Sequence, residues 1–149
     1  MKRQTKQLTL FAVSVLLVLA FVGCSGNISK VNDFSIEQFT AEMKIKNYKF
    51  ELKDVKEDFL PTTRKRLLTG NEAIEIYLYR NDKAMEEDSK RIDNGGCSYS
   101  NGNKSIEVSW ASFPHFYKRG NIIVQYVGEN IKIISDLKDI FGEQFAGYK

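Results

Sequence analysis

The side chains best suited to nucleophilic or soft metal chemistry are few: one imidazole, His115, and two thiols, Cys24 and Cys97. A Cys97–His115 pair is the one nucleophile–base combination on offer, and nothing in their spacing brings the two together. A lone histidine serves structure more often than catalysis. Zinc needs several Cys or His ligands at short spacing, and no such cluster occurs. HExxH, GxSxG, a glycine-rich phosphate loop and the EF-hand pattern are also missing. Asp54, Glu57 and Asp58 lie close in sequence among lysines and read as a solvated strand end rather than a glycosidase pair. The acidic residues near Glu86 and Glu87 have Lys90 and Arg91 four positions on, the spacing of solvated helix pairs. The expectation is therefore no catalytic residue, no metal and no cofactor.

The segment Trp110–Gly120 is the best candidate for recognition. Its aromatic residues Trp110, Phe113, Phe116 and Tyr117 stand beside His115 and are followed by Lys118 and Arg119. Read as a surface loop, it carries apolar mass that a partner would cover. Two other readings stay open: the rings fold back as a satellite core, or they sit at headgroup depth with the basic pair near anionic lipid. Arg64-Lys65-Arg66 reads as a solvated strand face.

Net charge taken alone suggests an anionic partner, because the chain has 22 basic and 19 acidic side chains and a formal charge of +3. The excess is Lys2, Arg3 and Lys6, ahead of an apolar stretch from Leu8 to Val22. Downstream of Gly23 the charges balance, which removes the argument for nucleic acid. A basic start, an apolar middle shorter than the roughly 20 residues of a membrane span, and a small-residue exit form a secretory signal. An uncleaved signal anchor is the alternative.

Leu19-Ala20-Phe21-Val22-Gly23-Cys24-Ser25-Gly26 resembles a bacterial lipoprotein signal, with Phe21 where an aliphatic residue is usual. The resemblance implies a diacylglycerol thioether on Cys24 and cleavage before it. Residues 1–23 would then be the signal peptide, 24–33 the lipidated cysteine and a polar tether, and 34–149 one domain on the extracytoplasmic face of the cell membrane. With Cys24 acylated, Cys97 has no intrachain partner and reads as a small buried hydrophobe, with an intermolecular disulfide or reactive thiol as alternatives.

The elements that must position these residues follow from pattern. Ser35 and Gln38 form a capping box, with Phe34 and Phe39 at staple positions, and Asn47 stops that helix. Tyr48, Phe50 and Leu52 alternate with charges as a half-buried strand. Strands are expected near Arg64–Leu68 and Ala73–Tyr79, the second with Ile74, Ile76 and Leu78 on its core face. Asn81 or Asp82 caps a second helix with a Met85, Ser89, Ile92 stripe, ended by Asn94-Gly95-Gly96. Asn101-Gly102 suggests a type I′ hairpin between Cys97–Ser100 and Asn103–Trp110. Ile122–Val127 is a central strand, and Asn130 opens a last helix with Ile133, Ile134, Leu137, Ile140 and Phe141 inward. The class is α+β, a mainly antiparallel sheet with three helices in the order α-β-β-β-α-β-β-β-α. The helices are expected on one face, leaving Tyr77 and Tyr79 on an open one.

Glu75-Ile76-Tyr77-Leu78-Tyr79, Ala84-Met85-Glu86-Glu87-Asp88, Ser98–Asn103, Pro114–Val124 and Tyr126-Val127-Gly128 resemble a group of small lipoproteins of Gram-positive bacteria. That resemblance implies location and no mechanism. The function expected is a non-enzymatic, membrane-tethered binding or interaction domain for an envelope protein, wall component or small ligand. A structural envelope lipoprotein and a thiol enzyme using Cys97 and His115 are the alternatives.

Overall fold

The computed structural model describes residues 34–149. The signal, the lipid attachment at Cys24 and the tether lie outside the described residues. The elements are α1 (Ile36–Ile45), β1 (Glu51–Val55), β2 (Thr63–Thr69), β3 (Glu72–Leu78) and α2 (Asp82–Ser89). They continue with β4 (Ser98–Ser100), β5 (Ser105–Glu107), β6 (Pro114–Arg119), β7 (Ile122–Val127), α3 (Ile131–Phe141) and β8 (Ala146–Gly147). The α+β class and the expected succession are observed, with β6 and the short β8 added to it.

All pairings are antiparallel, and the main sheet runs β1-β2-β3-β7-β6-β8. Two hairpins, β2–β3 and β6–β7, meet at the central β3–β7 seam. Each turns on a Gly-Asn pair, with Gly70 at φ 58° and Gly120 at φ 59°, a region glycine enters without steric cost. β4 and β5 form a separate ribbon. Its loop spans Asn101–Lys104: the Asn101 carboxamide accepts from the Asn103 and Lys104 amides. Asn101 does not take positive φ, so the expected type I′ turn is replaced by an Asx-type loop.

The helices begin where side chains can satisfy their free amides. Ser35 and Gln38 make the capping box on α1, Asn81 accepts from the Ala84 amide on α2, and Asn130 caps α3. At the end of α1, Asn47 takes φ 65°, the one positive-φ non-glycine among the described residues.

Both sheet faces are covered, which corrects the expected open face. One core joins α1 and α3 to Ile74, Ile76, Ile122, Val124 and Tyr126. The second joins α2 and the β4–β5 ribbon to Tyr77, Tyr79, Phe116 and Ile123. The three helices therefore divide between the faces, and Tyr77 and Tyr79 are buried. Successive residues of β7 enter opposite cores, so the strand is apolar without alternation, as a strand covered on both sides must be. At the sheet edge β1 is mostly exposed, while Tyr48 and Phe50 just ahead of it pack on the first core.

Candidate functional site

The segment expected as a surface loop is largely β6, and its residues separate by strand parity. Phe116 enters the second core and is fully buried, near Phe59 at 5.7 Å. Lys118 points the same way and pairs with Glu86 of α2 at 2.5 Å. Tyr117 enters the first core, and Arg119 donates to the Ile140 carbonyl while its guanidinium lies 4.3 Å from the Phe34 ring centre. Trp110 is half-buried against Phe59, its indole N–H donating to Gly96. Phe116 and Tyr117 are thus core residues, and Lys118 and Arg119 are engaged within the fold rather than turned toward lipid. This corrects the reading of the whole segment as one exposed patch.

Three residues of that segment, Tyr117 among them, do line a cleft. On the first-core side, Phe113, His115 and Tyr117 face α3 and the tail after it across a hollow of about 700 Å³. Ile134 and Lys138 of α3, Glu129 before that helix, and Glu143, Gln144 and Tyr148 after it complete the walls. The tail is held by specific contacts. Phe113 and Tyr148 stack with ring centres 3.9 Å apart, both substantially exposed, and the Tyr148 amide donates to the Pro114 carbonyl. Gly147 crosses β6 at φ 105°, where an added Cβ would lie 2.1 Å from the Pro114 oxygen. Only glycine fits that crossing.

His115 forms the cleft floor and is 5 % exposed. Its Nε2 lies 3.2 Å from the Gly128 carbonyl oxygen. Nδ1 lies 2.9 Å from the Gln144 side-chain oxygen, and the Nε2 of that amide donates to the Tyr148 carbonyl. Nε2 is thus engaged with the loop after β7 and Nδ1 with the tail, and neither is left to take a proton from a nucleophile. Cys97 is exposed in the β4 turn, its thiol directed to the Gly95 carbonyl at 3.5 Å. The structure therefore does not join Cys97 to His115, and the buried-hydrophobe reading of Cys97 is corrected. Its loop is held by the Asp93 carboxylate, which accepts from the Gly95, Cys97 and Ser98 amides. Burial works to raise that carboxyl's pKa, but the hydrogen bonds outweigh it and hold it low.

Negative charge colours the cleft. Burial first, and then the Glu143 charge, push the Tyr117 hydroxyl up to about 12. Burial likewise raises Tyr126, with Glu72 and Glu129 adding to the effect. Glu143 pairs with Lys138 at 2.7 Å, whereas Glu129 accepts only from the Ser112 hydroxyl, at 3.2 Å, among the described residues.

A buried polar network on the opposite face was not anticipated. Arg64, expected on a solvated face, is 8 % exposed and pairs with Asp58, while its Nε donates to the Lys56 carbonyl. The Tyr77 hydroxyl lies 3.0 Å from both Asp58 and Gln125, and Glu75 pairs with Arg66 at 2.5 Å. Desolvation raises the Glu75 carboxyl despite the two arginines. Asp58 lies in the connection between β1 and β2 and Arg64 within β2, and residue type alone assigned both to solvent. The acidic residues of α2 also find other partners: Glu86 takes Lys118, and Arg91 takes Asp88 at 2.6 Å. Among the described residues no group of three or more His, Cys, Asp or Glu could hold a metal ion. None of their helices is long and apolar enough to cross a membrane.

Comparison with protein-family models, curated proteins and solved structures returns no match.

Proposed function

We propose that this chain is a lipid-tethered, extracytoplasmic binding domain that takes a small ligand in the cleft between β6, α3 and the C-terminal tail. The cleft is the observation that carries the reading: it is concave, about 700 Å³, and pairs exposed aromatic rings with a few fixed polar groups. Ligand sites have this size and make-up. A purely structural lipoprotein has no use for a hollow of that kind, and its Phe113 would be buried rather than 40 % exposed. Catalysis is not part of the proposal, since the His115 nitrogens are taken and Cys97 stands apart.

The tether is the acylated Cys24 and the polar residues after it, left when the lipoprotein signal ending at Gly23 is removed. Two acyl chains on one residue hold a domain stably at a bilayer, since each buried methylene contributes about 0.8 kcal/mol. The intact mass of the exported protein tests this part: it should correspond to a chain starting at a diacylglycerol-modified Cys24, and an unmodified or uncleaved mass would remove the anchor. A fragment screen by amide chemical-shift mapping tests the cleft. Shifts should concentrate at Phe113, Ile134 and Tyr148, and fragments that scatter over the surface or leave these amides unmoved would argue for the structural role.

A further inference from the structure

The cleft's charge arrangement identifies a ligand class, and this step rests on the binding reading above. Of the lining carboxylates, Glu143 is already neutralised by Lys138 at 2.7 Å. Glu129 is held by the Ser112 hydroxyl on one oxygen, and no cation lies within ion-pair distance of it among the described residues. It stands two residues from the first-core strand β7, on the same rim as Phe113, whose ring stacks on Tyr148. A carboxylate positioned beside aromatic faces attracts an ammonium group twice, through its charge and through the ring quadrupoles. Lys149, the other unpaired charge of the lining, is exposed and follows Tyr148 on the tail, with no group of the cleft orienting it.

We infer that the cleft binds a molecule with an ammonium head on an apolar or aromatic body. The head meets the free oxygen of Glu129, and the body lies along Phe113, Tyr148 and Ile134. Lys138 is paired with Glu143, which leaves the exposed Lys149 as the one unpaired cation of the described lining.

The test uses three probes of one shape, phenethylamine, phenethyl alcohol and 3-phenylpropanoate, titrated into the acylated protein in detergent and followed by amide shifts. The amine should bind about tenfold more tightly than the alcohol, the scale of one screened charge pair at a surface, with the carboxylate weakest. Glu129→Gln, at an exposed position, should bring the amine to the level of the alcohol and leave the alcohol unchanged; Lys149→Gln should alter neither. Raising the salt concentration should narrow the gap between amine and alcohol. Equal binding of all three probes at the cleft, or an amine preference that survives Glu129→Gln, would overturn the ammonium class while leaving the cleft a binding site. Failure of every probe to move a cleft amide would overturn the binding reading with it.

Discussion

Replacing Phe116 and Phe113 separately by alanine discriminates a β-strand from a surface loop in the segment that contains them. Phe116 is fully buried, packed near Phe59 and with Phe145 at 6.2 Å, and its ring occupies the space beside Gly96. Truncating such a ring removes its transfer free energy and leaves a cavity, a loss of about 3–5 kcal/mol. A domain of this size has about 5–15 kcal/mol in total, so Phe116→Ala should leave it marginal. Phe113 is 40 % exposed and contacts chiefly Tyr148, so its truncation forfeits part of a burial term and one aromatic pair, about 1 kcal/mol. Urea unfolding followed by fluorescence measures both. The single tryptophan is well placed as a reporter, since Trp110 packs edge-on to Phe59 at 5.4 Å and donates to Gly96. Costs for the two variants within about 0.5 kcal/mol of each other would refute the assignment of β6, because residues of one surface loop should be interchangeable in this respect.

Three other outcomes follow from local geometry. Gly147→Ala places a methyl group against the Pro114 carbonyl, so the Tyr148 amide should lose its protection from hydrogen exchange while the Ile123 amide keeps it; unchanged Tyr148 protection would rule out the tail crossing. Asp136 is held below the usual carboxylate range: burial works to raise it, but Lys132, Tyr48 and Lys46 outweigh that effect. Its contribution is present above the unfolded-state value and is lost as pH falls through the lower folded value, so Asp136→Asn should flatten the acid limb of stability against pH. An acid limb of unchanged steepness would contradict that account. Cys97 should react with a thiol reagent in the folded protein, and Cys97→Ser should shift the unfolding free energy by less than about 0.5 kcal/mol; protection of the thiol until unfolding would mean it is buried.

Local signals in the sequence were legible where one residue type had one structural use. The capping box at Ser35 and Gln38 and the inward stripe of Ile133, Leu137 and Ile140 in α3 are seen as expected. β6 was not legible because His115, Phe116 and Tyr117 are all buried, on two different faces, which removes the alternation that marks a half-exposed strand. One signal for it was present: Gly120-Asn121 repeats the Gly70-Asn71 turn of the first hairpin, and a Gly-Asn step between apolar runs marks a two-residue turn. The open face was a misreading of the same kind, since Tyr77 alternates with Ile76 yet is buried by the helix that follows it and a ribbon farther along the chain. Three of the seven candidate recognition residues, Phe113, His115 and Tyr117, do line the cleft, but Glu129, Ile134 and Tyr148 belong to other elements. No pattern within one stretch of chain could announce their convergence.

The placement of β3 and β7 side by side at the centre of the sheet bears on how the chain reaches its fold. Each flanking hairpin closes through a two-residue turn and can form early, but the seam joins residues such as Tyr77 and Gln125, 48 positions apart. Formation of the seam is therefore the slow, non-local step. Until it forms, β3 is an edge strand with Ile74, Ile76 and Tyr77 uncovered, a template for pairing with other chains. A chain interrupted after α2 retains this edge and lacks β7, so its fate should be aggregation rather than a half-sized domain. A chain of this design gains from staying unfolded until its second hairpin is available to cover that edge.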